Sequence, residues 1–141
     1  MFEANQSDDD KLESKIQAKG KTAPRVIPAQ IKAAVRSCHF FTAAQGVDMC
    51  DPTMTDAAMP PELKLLTFCV LILHNGFMVN GYSACASPEN YDWEIGCDIA
   101  RQNAEREIWP LLGFRLRDQL TAAAAKVPLG ESMCSTDGRG E

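Results

Sequence analysis

Residues 65–83, LLTFCVLILHNGFMVNGYS, decide the fold of this chain. Two β-prone runs flank Asn75-Gly76, and this dipeptide between such runs is the strongest short-range hairpin signal. A type I′ turn needs positive φ at both central residues, and asparagine followed by glycine tolerates that requirement. The sequence therefore predicts a β-hairpin over about 65–84, closed by a two-residue turn that pairs His74 with Phe77.

Both faces of this predicted hairpin are apolar. In that register one face holds Phe68, Val70, Ile72, Phe77 and Val79, and the other holds Cys69, Leu71, Leu73, Met78, Asn80 and Tyr82. One layer of helices covers only one face of an antiparallel sheet. The second face needs another sheet, another helix or a second subunit, and in so short a chain we expect a second subunit. We assign Leu71 to this second face, so Leu71→Asp is predicted to dissociate the oligomer.

Helices are predicted on both sides of the hairpin. Pro28 followed by residues 29–35 predicts a short helix with proline in its first turn. A long helix starts within residues 87–92, capped by Ser87, Asn90 or Asp92, and small side chains recur along one of its faces. Pro110 ends or kinks that helix near Ile108, and a last helix ends before Pro128.

The remaining segments carry weaker signals. Phe40 and Phe41 predict a brief extended piece, and residues 44–62, which contain Gly46 and three prolines, predict a long loop. Together these elements predict an oligomeric α+β fold, in which helices pack on one face of an antiparallel sheet. We divide the chain into a polar mobile arm or frayed helix (1–24), a single domain (25–128) and a flexible tail (129–141).

Composition excludes several classes of protein. The 141 residues include 14 Lys and Arg against 19 Asp and Glu, a formal net charge of −5, which argues against binding a nucleic-acid polymer. The longest apolar run, residues 65–73, is about half of the roughly 20 residues that cross a bilayer. The N-terminus lacks the pattern of a secretory signal. We expect a soluble cytoplasmic protein.

Neither metal nor catalytic patterns are visible. Six cysteines form no CxxC pair and only two histidines are present, so we expect reduced structural thiols, no metal and no cofactor. No serine-hydrolase elbow, P-loop, HExxH or GxGxxG motif occurs. An enzyme is therefore not expected.

A nucleotide-sized binding site is easier to argue from the residues. The start of the long helix offers free N–H groups to an anion, aromatic rings nearby can stack on a base, and arginines suit phosphate. The alternative is a capped helix with ordinary surface arginines. The candidate ligand-binding residues are Phe77, Ser83, Asn90, Tyr91, Arg101, Arg106 and Arg115.

A longer pattern resembles a known family. Its segments are Asn75-Gly76-Phe77, Gly81-Tyr82-Ser83-Ala84-Cys85, Pro88-Glu89-Asn90-Tyr91-Asp92, Glu94-Ile95-Gly96, Ala100, Ala104, Ile108-Trp109 and Leu112-Gly113-Phe114. This pattern, over roughly residues 65–117, resembles a family of small phage proteins that includes the first-described type of Thoeris anti-defence sponges.

The resemblance implies a binding protein without turnover. Such sponges are homo-oligomers that sequester glycocyclic ADP-ribose, the immune signal made by TIR-domain enzymes, in the cytoplasm of the infected bacterial host. Some are thought to hold cyclic oligonucleotides as well. By this resemblance Phe77 and Tyr91 would stack on a base and Asn90 and Ser83 would make polar contacts. From charge and placement we add the three arginines as phosphate partners.

Two other functions remain open at this stage. A phage protein of this kind could instead bind a host protein, in which case it would have no affinity for nucleotides. An enzyme that destroys the signal, using Asp92 or Glu94, would form new products at substoichiometric protein.

Overall fold

An antiparallel sheet of three strands, in the order β1-β2-β3, lies against one long helix. The computed structural model describes residues 7–126, and the predicted tail lies outside this range. The fold is α+β, as predicted. Its elements are α1 (Asp8–Ala18), α2 (Pro28–Ala34), β1 (Val35–Thr42), α3 (Ala43–Cys50), β2 (Leu66–Leu73), β3 (Met78–Ala84) and α4 (Trp93–Lys126), with 3₁₀ turns at Pro61–Leu65 and Pro88–Asn90.

The predicted hairpin is confirmed, but its predicted turn is wrong by one residue. Leu73 N–H donates to the Phe77 carbonyl at 2.8 Å and Gly76 N–H donates to the Leu73 carbonyl at 2.9 Å. Gly76 has a φ of 85°, whereas no residue other than glycine has a positive φ in the described chain. A type I′ turn is thereby excluded. The loop is the three-residue type in which a left-handed glycine follows a type I turn.

Because the pairing of β3 with β2 is shifted by one residue from the prediction, the side chains of β3 lie on the opposite face of the sheet relative to those of β2. The covered face, which α4 packs against, carries Thr67, Cys69, Leu71, Leu73, Val79 and Gly81. The open face carries Phe41, Phe68, Val70, Ile72, Met78, Asn80 and Tyr82. Leu71 is fully buried on the covered face. Its assignment to an uncovered face was wrong, so Leu71→Asp no longer probes a contact between subunits.

Small residues set the distance between α4 and the sheet. A Cβ at Gly81 would overlap the backbone of Ala100 and Ala104, and it would lie 2.8 Å from the carbonyl carbon of Asn103. Gly96 of α4 makes a looser contact, since a Cβ there would lie 3.0 Å from the side-chain oxygen of Thr67. Both alanines are fully buried, so the helix lies directly on β2 and β3. The core continues to Ile31 of α2.

Helix α4 begins at one of the three predicted caps. The Asp92 carboxylate accepts the N–H of Ile95 at 2.9 Å, as an N-cap does, while Ser87 precedes the 3₁₀ turn and Asn90 is its last residue. The predicted end near Ile108 is wrong, because one helix of 34 residues continues through Pro110 to Lys126. Proline removes one helical N–H, and the packing of Ile108 before it and of Leu111 and Leu112 after it against the core holds the helix on both sides.

Three other segments have more regular structure than the sequence predicts. The brief extended piece at Phe40 and Phe41 is an eight-residue strand. Residues 43–50, the start of the predicted loop, form α3, which Thr42 and Gln45 cap reciprocally. Within the predicted polar arm, residues 8–18 form α1, whose Glu13 pairs with Arg25.

Candidate functional site

A groove of about 740 Å³ lies at the hairpin turn, between that turn, α2 and the C-terminal half of α4. The turn contributes His74, Asn75 and Phe77, and α4 contributes Arg115. Its apolar floor comes from Ala33, Ala34, Leu73, Leu111 and Leu112. The volume is within the range of about 300–1,000 Å³ that small-molecule sites occupy.

Two arginines line this groove, and they differ in whether they are already bonded to other residues of the described chain. Arg25 donates to the Lys21 carbonyl at 2.7 Å and pairs with Glu13 of α1, while its Nε is buried without a partner. Hydrogen bonds from Gln17 and then Arg25 lower the pKa of Glu13. Arg115 is exposed and forms no ion pair within residues 7–126. Arg115 is therefore the cation that a ligand can engage without breaking a bond.

Aromatic and amide groups complete the lining. Phe77 lines the groove and is 52% exposed, so it is accessible to a ligand. The Asn75 side-chain oxygen accepts the N–H of Phe77 at 2.9 Å, which leaves its amide NH₂ as a donor. Gln30 is arranged similarly, because its oxygen accepts the N–H of Ile27 at 3.1 Å.

The predicted site residues do not form one site within the protomer. Phe77 and Arg115 share the groove described above. Ser83 lies near the other end of β3, six residues from Phe77, which is about 20 Å along a strand. Tyr91 lies near Ser83, because its hydroxyl is 3.4 Å from that of Thr67, the cross-strand neighbour of Ser83.

Asn90 is exposed beside Tyr91, in the 3₁₀ turn. In that turn the Ser87 hydroxyl donates to Glu89 at 2.9 Å. The bond from the backbone N–H of Glu89, and after it the bond from Ser87, lower the pKa of the Glu89 carboxyl. The carboxylate beside Asn90 therefore stays ionised, and an anion at this turn would meet a negative charge.

The remaining two arginines bind their own helix. Arg101 donates from Nε to Glu105 at 3.0 Å, and this bond raises the pKa of Arg101. Arg106 donates to the Asn103 side chain at 3.1 Å, and Asn103 donates to the Tyr82 carbonyl at 2.9 Å. Spacing along the helix alone would instead allow Asp98 to pair with Arg101 and Gln102 to pair with Arg106.

Arg106 also lines a second groove, of about 750 Å³, beside strand β3. Phe77 and Tyr82 contribute to this groove from the sheet, and Asn103 and Glu107 contribute from α4. Phe77 therefore lies between two grooves, one shared with Arg115 and one shared with Arg106.

Sequence reasoning missed several polar groove residues, among them Arg25, Gln30, His74 and Asn75. The sequence predicts Arg25 only as the first residue of the domain, His74 and Asn75 only as part of the hairpin turn, and Gln30 only as part of the short helix. The proximity of α2 to the turn brings them together, through the bond from the His74 N–H to the Ala34 carbonyl at 3.1 Å. A signal for His74 existed, since it directly precedes the Asn-Gly pair.

The Cys69 thiol of the core is held in its protonated form. The sulfur atoms of Cys38 and Cys69 are 3.6 Å apart, and burial together with Cys38 raises the pKa of Cys69 to about 12. In residues 7–126, no group of three or more His, Cys, Asp or Glu side chains is arranged to hold a metal ion. Among the described helices, none is long and apolar enough to cross a membrane.

A family profile matches residues 26–120, two thirds of the chain. This is the profile of the phage protein (N4 Gp49/phage Sf6 gene 66) family. The chain belongs to that family. The matched residues run from just before α2 into the C-terminal half of α4, and they contain all seven predicted site residues. No curated protein and no solved structure matches the chain.

Proposed function

We propose that this phage protein is an anti-defence protein that binds and sequesters a cyclic nucleotide-type immune signal. The signal is glycocyclic ADP-ribose made by TIR enzymes, with cyclic oligonucleotides as a second class of candidate ligand. Removing this signal in the cytoplasm of the infected bacterial host would block Thoeris-type immunity. The observation that carries the proposal is the groove at the hairpin turn, which combines an exposed ring with an unpaired arginine.

The groove has a complement for each part of such a ligand. A base can stack on Phe77, and a diphosphate can accept the paired N–H donors of Arg115. Ribose hydroxyls can bind the free amide groups of Asn75 and Gln30. Leu111 and Leu112 of the apolar floor would exclude water from the remaining ligand surface.

Binding without turnover is favoured over hydrolysis by the positions of the two carboxylates considered for catalysis. Asp92 caps α4 through the Ile95 N–H, and Glu94 is exposed in the first turn of that helix. Neither carboxylate lines the groove. We therefore propose a stoichiometric binder that releases its ligand unchanged.

We propose further that the protein acts as a homo-oligomer. On the open face, Phe41 stacks on Phe68 with ring centroids 5.3 Å apart, and Tyr82 follows at 6.4 Å. Met78 and Tyr82 are about 60% exposed there. An exposed apolar patch of this kind marks an interaction surface.

The same open face favours a second candidate function, the binding of a host protein. In that case the aromatic row of Phe41, Phe68 and Tyr82 would contact the host partner, and Arg115 would be dispensable. The two functions differ in whether the purified protein binds a nucleotide.

The test mixes the purified protein with glycocyclic ADP-ribose or a cyclic oligonucleotide, filters out the protein, and analyses the filtrate by mass spectrometry. A sponge removes the ligand and returns it intact on heat denaturation. Ligand that remains in the filtrate contradicts the proposal and favours the host-protein function. Ligand that returns altered shows that the protein is an enzyme.

Matched variants locate the site. Arg115→Ala is expected to weaken binding by about tenfold or more, because a hydrogen bond to a charged group contributes about 1.5–3 kcal/mol. Arg117→Ala, at an exposed residue of the same helix outside the groove, should leave binding within about twofold. Asn90→Ala tests the alternative that the ligand binds at the other end of the sheet. Loss of binding in Asn90→Ala but not in Arg115→Ala would move the site away from the groove.

A further inference from the structure

The two edge strands of the sheet differ in how well they are protected against pairing with a strand of another chain. Strand β1, at one edge, contains Arg36 and an irregular register between Val35 and Ser37, and both features hinder pairing with another strand. Strand β3, at the other edge, has seven residues with no charge and no proline. Unprotected edge strands pair readily with strands of other chains.

The main-chain groups of β3 alternate between β2 and the free edge. Backbone hydrogen bonds join Leu73 to Phe77 and Cys85 to Leu65, one at each end of the ladder between β2 and β3. Because hydrogen-bonded residues alternate along an antiparallel strand, the N–H and C=O groups of Val79, Gly81 and Ser83 point towards β2. Met78, Asn80 and Tyr82 present their N–H and C=O groups to the edge. In the described chain only the Tyr82 carbonyl finds a partner there, the side-chain amide of Asn103. A carbonyl oxygen has two lone pairs, so it can accept a second bond.

We propose that β3 pairs antiparallel with β3 of a second copy of this chain, with the two-fold axis at Asn80. This inference rests on the homo-oligomer part of the proposed function and names its interface; it does not depend on the nucleotide. The two sheets then form one continuous sheet of six strands.

The side chains of β3 are complementary to themselves in this register. Asn80 lies opposite Asn80 of the second copy, where two amides can exchange hydrogen bonds. Met78 lies opposite Tyr82 on each side of the axis, and a thioether against an aromatic ring is a favourable pair. Met78 and Tyr82 are 63% and 60% exposed in the single chain, so pairing covers the most exposed apolar side chains of the open face.

Charge also favours this edge for a contact between identical chains. Two copies each carry a net charge of −5 and repel one another unless they meet at an uncharged surface. Strand β3 is uncharged, and the charged residues lining the groove beside it are Arg106 and Glu107, which have opposite signs. Edge β1, in contrast, carries the charge of Arg36.

Disulfide trapping tests the register. Directly opposed residues of a hydrogen-bonded antiparallel pair have Cα atoms about 5.5 Å apart, within the range that a disulfide spans. In a background with Cys50→Ser and Cys134→Ser, Asn80→Cys should give a covalent dimer on oxidation with diamide. His39→Cys, exposed on the same face but in β1, is the matched control and should give none.

A charge at the axis tests the interface without cross-linking. Asn80→Lys places two like charges together and should convert the oligomer to smaller species in sedimentation velocity, whereas His39→Lys should not. A wild-type chain that is monomeric at about 50 μM, well above the Kd of a stable dimer, overturns the homo-oligomer together with the β3 pairing. An oligomer that survives Asn80→Lys, with no cross-link in Asn80→Cys, overturns the β3 pairing alone.

Discussion

The covered and open faces of the sheet are made of similar side chains but have different surroundings. On β2, Cys69 and Leu71 of the covered face are fully buried, whereas Phe68 and Val70 of the open face are partly exposed. The strand is apolar in both directions, so its hydrophobicity does not identify the core side. The side is set by the residues that allow α4 to approach, above all Gly81.

This comparison teaches that steric fit, rather than apolar character, selects the face that becomes the core. Because the side chains of Ala100 and Ala104 are small, β3 can approach the backbone of α4 closely. Gly81, which has no side chain, is the residue of β3 at this contact. Met78 and Tyr82, on the open face of the same strand, would prevent such an approach. The large apolar residues of β3 therefore remain available for a partner.

The two faces should differ most in how the stability of the fold responds to an introduced charge. Leu71→Asp should abolish folding, because an unpaired carboxylate at a fully buried position costs several kcal/mol out of a total stability of about 5–15 kcal/mol. Val70→Asp, its neighbour on the open face, should stay folded. Far-ultraviolet circular dichroism and thermal melting compare the two variants. A cooperative melt for Leu71→Asp near that of the wild type would contradict the assignment of the faces.

The next largest effect concerns the contact between β3 and α4. Gly81→Ala should lower the free energy of unfolding by about 3 kcal/mol or more, since the added methyl group meets backbone atoms that cannot rotate away. Gly113→Ala is the matched control. It has no atom within 4 Å of the new methyl group, and alanine in a helix is favoured over glycine by up to about 1 kcal/mol. Urea denaturation measures both, and a Gly81→Ala variant as stable as the wild type would exclude the close approach.

The sequence predicted the hairpin but not its register, for a specific physical reason. Asn75-Gly76 fits a type I′ turn, and it also fits a three-residue loop in which only Gly76 has positive φ. The side chain of Asn75 favours the second by accepting the N–H of Phe77. Both turns satisfy the local pattern, and the packing of Gly81 on α4 fixes the register that the three-residue loop produces.

Other differences arise from contacts that no local pattern contains. Pro110 predicts a helix end, but Ile108 is held in the core, and the helix continues. The helix-start residues Asn90 and Tyr91 were expected to share a site with Phe77. The length of β3 keeps them apart in one protomer. Phe77 and Arg115 do meet, because α4 runs back to the hairpin turn.

A smaller effect separates two residues of the segment before α4. Asp92→Ala should lower stability by about 1 kcal/mol, the usual contribution of an N-cap. Asn90→Ala should change stability by less than about 0.5 kcal/mol, because Asn90 is exposed and does not cap the helix. Equal losses in the two variants would show that Asn90 is structural. Any effect of Asn90→Ala on ligand binding could then not be attributed to a contact.

The smallest predicted effect appears only at alkaline pH. Burial on the covered face raises the pKa of Cys69 from 9.0 to about 12. Between these values the unfolded chain has lost this proton and the folded chain retains it, so stability falls as pH rises. The fall should be below about 1 kcal/mol at pH 9.5 and should then approach about 1.4 kcal/mol per pH unit.

Cys69→Ala should flatten this alkaline fall, whatever it does to stability at neutral pH, because the variant has no thiol to ionise on unfolding. Cys50→Ala is the control, since Cys50 is exposed and its removal should leave the slope unchanged. Urea denaturation at pH 7.5, 8.5 and 9.5 gives the slopes. Tyrosines and lysines also titrate at high pH, but they contribute equally to both variants and cancel in the difference. Equal slopes in the two variants would mean that water reaches Cys69, and that the covered face is less closely packed than the contact of Gly81 with α4 requires.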